Sequence, residues 1–147
     1  METIKNILVG VDGSESALNA VKYAIKLAKE LNAKLELIYV IRYAIGNIDG
    51  GVFPYELEQF EKENAIKLIK KIKKNHPEIK IKDIELVGQP LEEINNAIDY
   101  WQPDLFVIGH HTHNFLESLF AVSLEKKILN NLKVPLLILP QNYDIIT

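Results

Sequence analysis

The sequence predicts an α/β fold, a doubly wound parallel sheet of five strands with helices on both faces. Short apolar runs alternate along the chain with longer segments whose apolar residues recur every three or four positions. This alternation is typical of successive β-α-β units, which are joined by right-handed crossovers. A chain of 147 residues is long enough for one sheet of five strands with its helices. We therefore expect a single domain over residues 1–147.

The first half of the chain predicts two strands and two helices. Residues Ile4–Val11 are rich in β-branched side chains and precede an Asp-Gly-Ser turn, so they predict a buried strand. The next segment carries small apolar residues at helical spacing from Ala17 to Leu31, with Ser14 as the N-cap. A second strand is predicted over Ala33–Ile41, and a lysine-rich helix with a solvated outer face over about 54–75.

The third strand is predicted over Ile79–Val87, where apolar and polar residues alternate with one phase slip near Asp83. Such a slip indicates either a bulge or an edge strand. Gly88 and Pro90 then lead into a third helix, because proline in the first helical turn loses no hydrogen bond.

The last part of the chain predicts a strand, a helix and a final strand. Residues 104–109, "DLFVIG", are apolar enough for a central strand, a helix is expected over about 117–131, and "VPLLILP" gives the fifth strand. In open α/β sheets ligands bind beyond the carboxyl ends of the strands. The loops that follow the strands are therefore the place to seek a site.

Composition excludes several classes of protein. A net charge of −3 argues against a general nucleic-acid-binding role, and the lack of cysteine excludes disulfides, thiolate metal sites and cysteine nucleophiles. No apolar run is long enough for a membrane-spanning helix, and the first residues lack the pattern of a signal peptide. We therefore expect a cytoplasmic protein with neither a nucleic acid nor a membrane as its partner.

Three segments together carry a family resemblance. They are "ILVGVDGSESALNAVKYAIKLA", "VGQPLEEI" and "DLFVIGHHTHNFLESLFAVSLEKKILNNLKVPLLIL", which occur in this order. Through them the chain resembles the universal stress protein family over essentially its whole length. The resemblance implies a Rossmann-like fold of the adenine nucleotide alpha hydrolase type with strand order 3-2-1-4-5, and a stress-response role. It also implies a homodimer formed through the last strand, Val134 to Leu139.

The nucleotide-binding branch of that family is recognised by Gly-x2-Gly-x9-Gly followed by Ser or Thr. The frame aligns here without a gap, on Gly109, Thr112, Val122 and Ser123, so one of the three glycines is kept. Glycine lets a loop turn its N–H groups toward an anion. A left-handed conformation costs an ordinary L-residue on the order of 1–2 kcal/mol, so Thr112 and the stiff Val122 indicate a degenerate phosphate loop.

The resemblance also implies a ligand and its contacts. An aspartate after the first strand contacts the nucleotide, an apolar residue at the end of the second packs on adenine, and a serine near the last helix holds phosphate. The implied ligand is ATP or AMP, with Mg²⁺ accompanying ATP. The candidate nucleotide-binding residues in this chain are Val11, Asp12, Val40, Ile41, Gly109, Thr112, His113, Val122, Ser123 and Leu124.

Three of the four histidines, His110, His111 and His113, follow Gly109 directly. Imidazole is a common metal ligand, but adjacent residues in a turn rarely converge on one ion, so an exposed loop is favoured and no metal site is predicted. His113 stands where the family has a basic residue of the phosphate loop. Its protonation near pH 6 would then strengthen anion binding.

Two classes of function stay open. The first is a stress-response protein that binds an adenine nucleotide, and the second is a nucleotide-independent dimeric regulatory module that has kept the fold. A slow ATPase is a third class, for which the sequence shows neither a committed base nor a complete phosphate cradle. No catalytic residue is assigned, since no histidine is placed to activate Ser14 or Ser16. The sequence identifies no protein partner.

Overall fold

The computed structural model describes residues 3–13, 15–42, 54–109, 132–140 and 143. Five parallel strands form one sheet in the order β3-β2-β1-β4-β5, which confirms the predicted fold class and strand order. The helix predicted over about 117–131 lies outside the described residues. The described elements are β1 (Asn6–Val11), α1 (Glu15–Leu31), β2 (Lys34–Arg42), α2 (Pro54–Asn75), β3 (Ile81–Gly88), α3 (Pro90–Trp101), β4 (Leu105–Gly109) and β5 (Leu136–Leu139).

Each face of the sheet carries its own hydrophobic core, because alternate residues of a strand point to opposite faces. Ile7 and Val9 of β1 pack with α1 and α2, whereas Leu8 packs with α3. All three side chains are fully buried, as is Phe106 in the second core. Burial of a side chain of this size contributes about 1.5–3 kcal/mol, so these central strands hold the layers together.

The strands β1 and β4 are tied together where both begin. The carboxylate of Asp104 accepts hydrogen bonds from the backbone N–H groups of Lys5 at 2.8 Å and Asn6 at 2.9 Å. The backbone N–H of Asp104 donates in turn to the carbonyl oxygen of Asn6 at 2.8 Å. These bonds fix the register of β4 on β1, which pairs Val9 with Val107. Two residues further on, Val11 and Gly109 end their strands side by side.

The phase slip near Asp83 is not a bulge, because the register of β3 on β2 continues unbroken through it. Asp83 and Glu85 share the face of β3 that packs against α2, while Ile84 and Leu86 turn to the core under α3. The slip in the alternation therefore arises because two carboxylates, Asp83 and Glu85, lie on a face of β3 that is otherwise apolar. The other interpretation, an edge position, is confirmed, since β3 ends the sheet.

Candidate functional site

The order of the strands reverses between β1 and β4. From β1 the chain passes to β2 on one side, and later returns to β4 on the other side. The carboxyl ends of β1 and β4 therefore lie side by side at a switch point, which is where doubly wound folds open the crevice that binds their ligands. Asp12 and Gly13 follow β1, and Gly109 ends β4, so all three lie at this switch point. Asp12 and Gly109 are two of the candidates from the sequence.

Gly109 packs directly on the first turn of α1. A Cβ atom at this position would overlap the carbonyl oxygen and the hydroxyl of Ser16, and would lie 2.6 Å from its carbonyl carbon. No L side chain fits there, so glycine is required by the close approach of two backbone segments. Gly13 differs, because a Cβ on Gly13 would meet nothing within 4 Å. The retained glycine of the family frame thus brings the end of β4 onto α1.

Asp12 is buried at the same edge, with 5% of its surface exposed. Tyr39 lies level with Val11 on the adjacent strand and is 7% exposed. Burial raises the pKa of the Tyr39 phenol, and the nearby Glu61 and Asp12 carboxylates raise it further. The phenol accordingly keeps its proton and can donate a hydrogen bond.

Tyr39 and Glu61 were not among the candidate residues from the sequence. Two signals pointed to them. Tyr39 brings a hydroxyl into a strand, Lys34–Arg42, that is otherwise mostly apolar, and Glu61 stands four residues before the buried Ala65, on the side of α2 that faces the core. A polar group at a core position is informative because burying it without a partner is costly.

The apolar candidates are buried, and they divide between the two faces of the sheet. Val11 and Ile41 belong to the core under α1 and α2, whereas Val40 belongs to the core under α3. Val40 is 1% and Ile41 2% exposed. A ligand on one face can contact only one of the two β2 residues. The remaining candidates, with the two other clustered histidines, lie outside the described residues; they are His110, His111, Thr112, His113, Val122, Ser123 and Leu124.

A second group of charges lies on the same face, between α2 and the edge strand. Lys73 donates a hydrogen bond to Asp83, and Glu85 lies beside Asp83 and level with Tyr39. Burial, and then the hydrogen bond and charge of Asp83, raise the pKa of Glu85 to about 7. Burial also acts to raise the pKa of Asp83, but the hydrogen bonds from Lys73 and Glu85 bring it below its ordinary value. The two carboxyl groups therefore share a proton near neutral pH.

No group of three or more His, Cys, Asp or Glu side chains in the described residues is arranged to hold a metal ion. None of the helices described here has the length and apolar character needed to cross a membrane.

The profile of the universal stress protein family matches residues 3–140. A universal stress protein of Methanocaldococcus jannaschii is 31% identical over 138 residues, which cover 91% of this chain and 81% of that protein. The structure of the universal stress protein UspA from Lactobacillus plantarum superposes with a TM-score of 0.76 at 19% identity, over 95% of this chain and 99% of that one.

Similar structures include complexes with nucleotides. A universal stress protein from Archaeoglobus fulgidus in complex with dAMP has a TM-score of 0.60 at 16% identity, over 93% of this chain and 98% of that one. A family member from Arabidopsis thaliana with AMP bound has a TM-score of 0.62 at 15% identity, over 95% of this chain and 94% of that one. The fold, the profile and the archaeal relative agree. The chain belongs to the universal stress protein family.

Proposed function

We propose that this chain is a cytoplasmic stress-response protein that binds an adenine nucleotide, ATP or AMP, in the crevice between Asp12 and Gly109. The observation that carries the proposal is the contact of Gly109 with Ser16 at the switch point. It sets the end of β4 beside α1 and the Asp12 turn, where doubly wound folds bind their ligands. The AMP and dAMP complexes of similar structures support the ligand class.

The charges at this edge favour one orientation of the nucleotide. Asp12 is an acceptor with a negative charge, so it suits the hydroxyl groups of ribose or the amine of adenine and repels phosphate. The phosphates would then lie on the Gly109 side, where Ser123 and His113 are the candidate contacts. Mg²⁺, where it accompanies ATP, would offset the negative charge of the phosphates. Because two glycines of the family frame are replaced, we expect adenosine contacts to contribute more to affinity than phosphate contacts.

Calorimetric titration with ATP, AMP and adenosine, each with and without Mg²⁺, tests the proposal. We expect binding of AMP, a loss of roughly tenfold or more in the Asp12→Asn variant, and little change in an Asp99→Asn control. The control is matched because it makes the same change at an exposed carboxylate of α3, whose partner Lys133 precedes β5 at the opposite end of the strands from the crevice. Thermal unfolding of each variant separates lost binding from lost folding. Tight binding of ATP that exceeds AMP and adenosine would contradict the degenerate phosphate loop.

A second candidate function rests on the other end of the sheet. Ile138 of β5 is 38% exposed, and β5 pairs with β4 but with no other described strand. An apolar edge of this kind favours a homodimer through residues Val134 to Leu139. We propose that the dimer forms in either case. Millimolar or absent binding of all three ligands, with the dimer intact, would assign the protein to the nucleotide-independent regulatory module.

A further inference from the structure

The outward face of α2 carries a regular row of exposed side chains. Their spacing alternates between four and three residues, which places all of them on one side of the helix. The opposite side holds the buried Ala65, Ile69 and Ile72. The row therefore points away from the core of this chain. Its members, all exposed, are Glu56, Phe60, Glu63, Lys67, Lys70 and Lys74, and we refer to them as the α2 row.

The charges of the α2 row are divided between its two halves. The first half is acidic around an aromatic residue, and the second half is entirely basic. Phe60 is 60% exposed, so its ring offers an aromatic face that a cation can approach from outside the chain. The row thus has the composition of a contact surface whose complement must be acidic at one end and basic at the other.

The α2 row is complementary to itself when it is reversed. In an antiparallel pair of identical helices centred on Ala65, Glu56 of one copy lies opposite Lys74 of the other. Phe60 then lies opposite Lys70, and Glu63 opposite Lys67. Every pairing is favourable, since two join opposite charges and the third places an ammonium group against an aromatic face. The two-fold axis repeats each pairing, so the seam holds six of them along about 27 Å of helix.

One flank of the row adds an apolar contribution. Leu57, 37% exposed, lies on the side of α2 that borders a groove of about 240 Å³ between α1 and α2. Leu18 and Leu68 line this groove, and Lys71 stands at it. Like flanks meet in an antiparallel pair, which brings Leu57 of one copy to the level of Lys71 of the other. The aliphatic stem of Lys71 and the groove can then cover Leu57.

From this pattern we propose that the α2 row is a self-association surface whose partner is a second copy of this chain, docked antiparallel through α2. The surface is separate from the β5 edge and from the nucleotide crevice. Antiparallel helices also bring opposite ends of their dipoles together. Because the ion pairs are exposed, the contact is weak and salt-sensitive. Joined with a β5 dimer, it would link dimers into larger assemblies.

A charge-exchange experiment tests the proposal. One variant carries Glu56→Lys and Glu63→Lys, and the other carries Lys67→Glu and Lys74→Glu. Each variant alone places like charges opposite one another, whereas an equimolar mixture restores all four ion pairs. By sedimentation velocity at about 0.1 mM protein and low salt, we expect each variant to lose the association of the wild-type chain, and the mixture to regain it. Regain on mixing cannot come from a folding defect.

Two further measurements fix the interpretation. Phe60→Ala should weaken the association at least about fivefold, whereas Lys62→Glu, on α2 but outside the row, should leave it unchanged. All chains in these measurements carry Ile138→Glu, which removes association through β5. The association that is measured then reports on α2 alone, so failure of the β5 dimer and failure of this proposal are distinguishable. A wild-type chain that does not associate through α2, or variants that stay separate on mixing, overturn the proposal and leave this face to a different occupant.

Discussion

The two edge strands of the sheet differ in the side chains that they carry. β3 turns Asp83 and Glu85 toward α2, where Lys73 contacts Asp83, so its inner face carries charged residues. β5 is a four-residue strand of leucine and isoleucine alone, and Ile138 is 38% exposed. Charged residues that point inward are a known means of preventing a sheet edge from pairing with another chain. The contrast supports the dimer proposed above, because β3 carries the features of a strand that ends a sheet and β5 does not.

The largest effect is expected from Ile138→Glu. A carboxylate at an apolar strand pairing must be desolvated against its own copy across the two-fold axis, so we expect the dissociation constant of the dimer to rise at least roughly 100-fold. Analytical ultracentrifugation measures it. Tyr100→Glu is the matched control, because Tyr100 is 87% exposed on α3, which packs against β2 and β3. Equal effects of the two changes would contradict pairing through β5.

The second largest effect is expected when the charges of the β3 edge are removed. In the Ile138→Glu background, Asp83→Val with Glu85→Val makes the inner face of β3 apolar. We expect association that increases with protein concentration, because the edge has lost its inward charges. Light scattering measures it against Asp83→Asn with Glu85→Gln, which keeps the polarity of the face. A monomeric valine variant would show that another feature protects β3.

A smaller effect is expected from Glu85→Gln on the pH dependence of unfolding. The pKa of Glu85 rises from 4.5 to about 7 on folding. Folding therefore favours the protonated acid, and the stability it contributes is lost as pH rises from about 4.5 through 7. Glutamine cannot ionise and still donates to Asp83. We expect the variant to exceed the wild-type chain by about 1–2 kcal/mol at pH 8 and to match it near pH 4.

Urea unfolding at several pH values measures this difference. Glu92→Gln is a suitable control, since Glu92 is exposed on α3. An identical pH profile for Glu85→Gln and the wild-type chain would show that Glu85 and Asp83 do not share a proton.

The smallest effect is expected from Lys73→Gln. Lys73 helps to lower the pKa of Asp83, so the stability it contributes is present above the ordinary pKa of 3.8 and is lost as pH falls below that value. The lysine side chain is 41% exposed, which limits the gain. We expect a loss of about 0.5–1 kcal/mol at pH 7, and a loss that shrinks as the pH falls below 3.8. A loss of the same size in Lys74→Gln would show that the ion pair with Asp83 contributes nothing specific.

The elements were predictable because each has a strong period. The helix over about 54–75 and the strands around "ILVGV" and "LFVIG" have the bounds that their apolar spacing indicated, within one or two residues. The slip at Asp83 was predictable as an irregularity but not as a pair of carboxylates, because the partner that stabilises them, Lys73, comes from α2. The periodicity of a sequence indicates which face of an element a residue lies on. It does not indicate which residue of another element that residue contacts.

The candidate site divides in the same way. Asp12 and Gly109 follow strands, and their position at the carboxyl edge was expected from the sequence. Tyr39 and Glu61 were not, because the nearness of Tyr39 to Asp12 depends on the register of β2, and that of Glu61 to Tyr39 on where α2 crosses the sheet. The close fit of Gly109 on Ser16 was also invisible in the sequence, since a glycine after a strand equally serves an ordinary turn.

The sequence by itself determined the layered α/β architecture and the composition of the two edges, since both follow from which residues lie at which period. Only the tertiary structure decided how those residues are used. It placed the reversal of strand order between β1 and β4, brought Gly109 onto α1, and set Asp83 and Glu85 against Lys73. The reason is physical: burial, shared protons and steric fit belong to pairs of groups that are distant along the chain and meet only when it folds.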